Sequence, residues 1–235
     1  MAVHSKQSRV VINDSHVSGR VTGWGVSSSR TMAAITGLLD EGARYVPGLA
    51  SGEITLNGVF DADPGALVDQ AQAAAGVDNG ALVTVLPAGF AIGGVALGAV
   101  TDVEGIDVTS TVTEAVSVAV SSQADDGVDL GYVLHGADAE TASGTADDVD
   151  GLLSSANGGV GTLHVLSFTG LDELSVTIQH SADGDTWADL VTFTPAADKT
   201  AERLKVSGTV SQYLRATWTA DGTGSAGFVV TFSRR

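Results

Sequence analysis

Apolar and polar residues alternate with a period of two along most of the chain, a pattern that predicts strands rather than helices. Residues 53–61 (EITLNGVFD) set Ile54 and Leu56 against Glu53, Thr55 and Asn57, as a half-buried strand does. Residues 9–36 mix β-branched residues with Ser, Gly and Asn-Asp punctuation and predict two or three strands with tight turns. The uncharged stretch 81–100 (ALVTVLPAGFAIGGVALGAV) is broken by Pro87 and by Gly93-Gly94, which predicts two buried strands joined by a Gly-rich turn. Residues 106–121 put Ile106, Val108, Val112, Val116, Val118 and Val120 on one face and Asp107, Thr109, Thr111 and Thr113 on the other. At about 3.3 Å per residue this run reaches roughly 50 Å, beyond an ordinary strand. Either a bend near Glu114 divides it or it serves a large assembled sheet.

Three stretches depart from the alternation. Residues 37–52 lose periodicity while keeping Leu38, Leu39, Tyr45, Val46 and Leu49, with Arg44 among them, so they read as an apolar loop. Such a loop either folds back on its own core or buries those side chains on a neighbouring subunit. Residues 63–76 (DPGALVDQAQAAAG) predict one short helix, with Asp63 as N-cap, Pro64 in the first helical position, Gly76 as the stop and a small packing face of Leu67, Ala71 and Ala74. After a turn at Asp125-Asp126-Gly127 and the segment VDLGYVLHG, residues 137–161 are rich in Ala, Ser, Thr, Asp and Gly and read as a linker. Six short strands follow, at 162–168, 174–180, 186–194, 203–208, 212–220 and 227–235, spaced as in an antiparallel sandwich. The expected organisation is a mainly β domain with one short helix over 1–136, a linker over 137–161, and a C-terminal antiparallel β-sandwich over 162–235.

Charge narrows the function. The 235 residues carry 11 Lys and Arg against 28 Asp and Glu, a net charge of −17. The cations fall at two ends, from Lys6 to Arg44 and from Lys199 to Arg235, with none between Arg44 and Lys199. Phosphate backbones and anionic membranes are held by clustered cations, so a nucleic-acid grip is excluded and an anionic membrane surface is disfavoured. Membrane insertion of 81–100 is disfavoured by Asp78 before it and Asp102 and Glu104 after it. The first residues lack the continuous apolar segment of a secretory signal. With no cysteine there is no disulfide framework or thiolate chemistry.

The chemical motifs are thin. Residues 222–227 spell G-x-G-x-x-G, but they precede a strand instead of opening a helix and read as a hairpin turn. Asp183-Gly184-Asp185 lacks the other ligands of a calcium loop and reads as a turn held by Asp side chains. Asp147, Asp148 and Asp150 read as solvated charge, with weak binding of a divalent ion left open. His4, His16, His135, His164 and His180 lack metal-ligand spacing, although His164 and His180 lie in strands and are placed to pair across them. No nucleophile elbow or phosphate loop is present. No catalytic or metal residue and no cofactor is expected, and the chain reads as a non-enzyme that offers assembly surfaces.

The order of GEITLNGVFD, a single short helix, long alternating strands and GVDLGYVLHG resembles the major tail (tail tube) proteins of long-tailed bacteriophages, particularly those of actinobacteria. SVTIQHSADGDTWADLVTF, SQYLRATWT and FVVTFSRR are similar to the extra β domain that many of them append. The resemblance implies a virion protein, made in the bacterial cytoplasm, that assembles with itself into rings, usually hexameric. Stacked rings would house the tape measure protein, meet the tail tip and head-tail connector proteins, and conduct DNA without sequence-specific binding. Inner-sheet strands would close into a barrel, with the helix outside. On that reading Asp107, Thr109, Thr111 and Thr113 face the lumen, and Leu38, Leu39, Arg44, Tyr45, Val46 and Leu49 contact an adjoining subunit or ring. The competing expectation is a capsid decoration or other virion surface protein.

Overall fold

The computed structural model describes residues 5–38 and 40–235. The chain is mainly β. Its strands are β1 (Arg9–Ile12), β2 (Ser15–His16), β3 (Val21–Ala34), β4 (Tyr45–Val59), β5 (Ala81–Leu86), β6 (Val95–Thr109), β7 (Ser117–His135), β8 (Ala139–Glu140), β9 (Gly144–Thr145), β10 (Val149–Asp150), β11 (Gly159–Ser181), β12 (Trp187–Thr192), β13 (Thr200–Val206) and β14 (Tyr213–Arg234). The one α-helix among the described residues, α1 (Leu67–Ala74), lies between β4 and β5. No helix among the described residues is long and apolar enough to cross a membrane.

In the N-terminal half, β3, β4, β7 and β6 lie side by side, each antiparallel to the next. Beyond them β6 pairs with β5, β5 with β1, and β1 with β2. Alternation puts Ile54, Leu56, Val118 and Val120 on one face, where they form a core with Val10, Val83 and the helix residues Leu67, Ala71 and Ala74. The small helix face is the expected one, but the start differs. Gly65 has φ +80° and interrupts the chain after Pro64, so Ala66 is the N-cap and makes no side-chain cap bond. Asp69 instead reaches back to accept from the Gly65 amide at 2.7 Å.

The long alternating run turns back on itself. Ile106 faces Val120 and Val108 faces Val118 across the β6–β7 pair, so the bend near Glu114 is a full reversal at 110–116. The expected turn at Asp125-Asp126-Gly127 is a bulge inside β7. Asp126 (φ 63°) and Gly127 (φ 77°) take the left-handed conformation and the strand then resumes.

In the C-terminal half, pairs of expected strands merge. Residues 162–168 and 174–180 are both part of β11, and 212–220 and 227–235 of β14; β11 and β14 pair along nearly their whole lengths. Register shifts between Val165 and Glu173, with Gly170 at φ +73° and Gly222 at φ +94°, mark the corner where the strand pair bends. Corners of this kind let strands pass from one layer of a sandwich to the other. The G-x-G-x-x-G letters therefore lie on a bent strand rather than in a hairpin turn. The core holds Phe193, Phe228, Phe232, Leu163 and Ile178, all essentially without solvent contact. Residues 137–161 run along β14, to which β8, β9 and β10 each pair.

The halves share a seam. Val229 and Val230 at the end of β14 join Val133 and Leu134 of β7 in buried apolar packing, with Leu86 and Ala96 beneath. The strands approach so closely at Gly131 that a Cβ there would lie 2.1 Å from the Phe232 carbonyl oxygen. His164, fully buried, reaches across: its Nδ1–H donates to the Asn13 carbonyl at 2.6 Å, and the Thr84 hydroxyl donates to Nε2 at 2.7 Å. A carbonyl can only accept, which assigns the tautomer. His164 and His180 do not pair with each other; His180 accepts from the Ser211 amide.

Candidate functional site

The four-stranded sheet β3-β4-β7-β6 has two open edges. Among the described residues β3 pairs only with β4, and no strand takes its other side. β6 is covered by β5 only as far as Thr101, so its outer edge is open from Asp102 to Thr109. Rows of unpaired backbone N–H and C=O groups like these are templates for another strand. Because directions alternate across the four strands, β6 of one copy would meet β3 of a second in the antiparallel sense.

The two faces differ in chemistry. One carries the apolar core and α1. The other presents Glu53, Thr55 and Asn57 of β4, Ser117, Ser121 and Gln123 of β7, and Asp107 and Thr109 of β6. These strand positions include no Lys or Arg. Thr109 and Ser117 hydroxyls are 2.7 Å apart across the strands, and Gln123 Nε2 donates to Glu104 Oε2 at 3.0 Å. Asp107 and Thr109 thus share this polar face, whereas Thr111 and Thr113 sit in the exposed reversal beyond it.

Past Gly52, β4 loses β7, and the β3–β4 pair continues alone as a two-stranded arm. Tyr45 faces Ala34, Val46 faces Ala33 and Pro47 faces Met32. The expected loop is therefore shorter than 37–52, since Tyr45, Val46 and Leu49 belong to β4. Pro47, Gly48 and the register shift at Arg30–Met32 break the alternation that would have revealed it. Leu38 lies in the tip and is exposed; Leu39 lies outside the described residues, as does His4. Arg44 pairs with Asp40 at 3.5 Å and its amide donates to the Thr36 hydroxyl. Met32, Ile35, Tyr45, Val46 and Leu49 are all solvent-exposed, Leu49 by 85%. Large apolar residues exposed on both strands of an unsupported ribbon mark a surface made for cover.

The terminal cations have another use. Arg203 Nε donates to Asp129 at 2.8 Å, both side chains being nearly buried; Lys205 and Arg235 meet Asp126, and Lys199 meets Asp14 at 3.2 Å. Four cations of the C-terminal half thus bind carboxylates of the N-terminal half. Hydrogen bonds from Lys205 and then Arg235 hold the Asp126 carboxyl well below the usual range. Asp183 is the turn-former the sequence suggests: its carboxylate accepts from the Thr186 and Asp185 amides, which lower its pKa to about 2. No group of three His, Asp or Glu residues among the described residues is placed to hold a metal.

No family model matches the chain, and no curated protein matches it in sequence. Among solved structures it is similar to a protein of the native gene transfer agent virion, at 17% identity and TM-score 0.42, over 55% of this chain and 98% of that one. It is similar to the SPP1 tail tube protein at 13% identity and TM-score 0.45, over 57% and 80%. A similarity to the SPP1 Dit protein, described as a paradigm of hub adsorption apparatus, extends over 96% and 98% at 12% identity and TM-score 0.33. These likenesses are loose.

Proposed function

We propose that this chain is a structural subunit of a phage tail tube. Copies join laterally, β6 of one against β3 of the next, and close into a ring, taken as hexameric from the family resemblance. Closure removes both open edges, as a barrel does. The polar face then lines the channel and α1 lies outside. A wall of hydroxyls, amides and carboxylates has no cation to trap phosphates, so DNA passes without being held. The apolar arm contacts an adjoining subunit or ring. Stacked rings would surround the tape measure protein and meet tip and connector proteins at the tube ends.

The observation that carries this reading is the pair of unsatisfied, antiparallel-compatible edges on one sheet whose free face is polar and cation-free. Negative-stain microscopy of the purified protein tests it: rings or tubes are expected. Monomers at every concentration would sink the proposal, and decoration of preformed capsids in place of tubes would favour a capsid surface protein.

A further inference from the structure

Two apolar patches lie at opposite ends of the four-stranded sheet. Register orders the sheet end to end: Ser27, Glu53, Gln123 and Asp102 form one row, and Val21, Gly58, Val118 and Val108 another. Beyond the second row is the β6–β7 reversal, where Val108, Val112 and Val116 are exposed around Glu114. Beyond the first row is the arm, and beside it a groove of about 520 Å³. Leu49, Ala50, Val128 and Leu130 supply its apolar surface; its charged walls are Arg30, Arg234 and Arg235 with Asp126 and Asp129, and those two carboxylates are already paired with Arg203, Lys205 and Arg235.

The charges of the two ends are complementary. Arg30 is the one arginine with no hydrogen bond, ion pair or ring contact among the described residues. Arg20, Arg44, Arg203 and Arg235 reach carboxylates, Arg9 and Arg234 reach carbonyls, and Arg215 holds Gln179 and stacks on Trp187. At the other end the Glu114 carboxylate meets, among the described residues, only the Thr111 hydroxyl, at 3.4 Å, and Arg20 is committed to Asp61 at 2.8 Å.

We propose that the β6–β7 reversal of one copy seats in the groove beside the arm of a second copy. Val112 and Val116 pack on Leu49 and Leu130, and the Glu114 carboxylate meets the Arg30 guanidinium. Such a contact joins opposite ends of the sheet, so it is not a two-fold dimer contact, and along the ring axis it repeats from one ring to the next. It rests on the ring reading and specifies how one ring stacks on the next. Because Ser233, Arg234 and Arg235 form part of the groove, the C-terminal half takes part in the stacking.

The chain has no cysteine, so introduced thiols report without background. Leu49→Cys chains mixed with Val112→Cys chains and treated with a short bismaleimide should give covalent dimers. The doubly substituted chain should give a ladder of multimers, and neither single variant should link to itself. Self-linking of Val112→Cys chains, or a doubly substituted chain that stays unlinked while stacked rings are visible, would overturn the pairing and leave the ring reading standing. Arg30→Glu and Glu114→Arg alter exposed side chains; each alone should leave rings that no longer stack, and the two together should restore tubes. Single reversals that stack as the unaltered chain does would also overturn the pairing. Absence of rings from the unaltered chain would overturn both readings.

Discussion

The C-terminal half and the arm of the N-terminal half are made from the same kind of strand and put their apolar residues to opposite use. In the C-terminal half, β11 and β14 bend together at glycine corners, and Phe193, Phe228 and Phe232 end up sealed in one core. In the arm, β3 and β4 run on as an uncovered pair, and Met32, Ile35, Leu38 and Leu49 stay in water. A second layer is the difference. Hydrophobic side chains stabilise only where something else covers them, and an isolated two-stranded ribbon is marginal in water. The C-terminal half completes itself within one chain, whereas the arm needs a surface from elsewhere.

The contrast can be broken most sharply at Phe232. Phe232→Ala removes a buried ring packed against Gly159, and should cost about 3–5 kcal/mol in urea unfolding of the soluble chain. A loss near zero would mean that the C-terminal core is not the self-sufficient unit described.

A smaller effect is expected at the seam on acidification. Burial lowers the His164 pKa to about 4, and the hydrogen bond to Asn13 opposes this only in part. The folded state holds the ring neutral, so His164 leaves stability intact above about pH 6.5, its ordinary value, and stability falls as the pH drops toward 4. The full loss is on the order of 3 kcal/mol. Unfolding measured across that window should show the fall, and His164→Gln should flatten it. Asp126 titrates at lower pH, because its folded pKa lies below the usual carboxylate range, and its contribution is lost only there. A flat profile in the unaltered chain would remove His164 as a tie between the halves.

The smallest effect on the single chain is expected in the arm. Leu49→Ser should change the stability of the unassembled chain by no more than about 0.5 kcal/mol, as at other exposed positions, while suppressing assembly measured by sedimentation. A stability loss as large as that of Phe232→Ala would show that the arm already has its cover.

Much of the fold was legible in the sequence because it rests on period-two alternation. Ile54 and Leu56 against Thr55 and Asn57, and the two strands within 81–100, lie where the pattern implies. The pattern failed where a strand bends without stopping. Gly170, Gly222 and the Asp126-Gly127 bulge carry turn residues, yet pairing continues through or resumes beyond them. It failed again at Pro47-Gly48, where a bulge hides the first part of β4. Of the residues proposed for assembly, exposed Leu38, Tyr45, Val46 and Leu49 stood out as apolar side chains in an irregular stretch. Arg30 and Leu130 gave no such signal, because what sets them apart is a missing partner and a groove shared by distant segments.

The sequence by itself determined a mainly β chain with one small-faced helix, no cysteine chemistry, and cations confined to its ends, since alternation and composition are local properties. Only the tertiary structure decided what those cations do. Lys199, Arg203, Lys205 and Arg235 neutralise Asp14, Asp126 and Asp129 across the seam. Their carboxylates lie far away along the chain, and opposite charges come within a few ångströms only when the two halves pack together. The same holds for the open edges of β3 and β6, because an edge is defined by the neighbour a strand lacks in space.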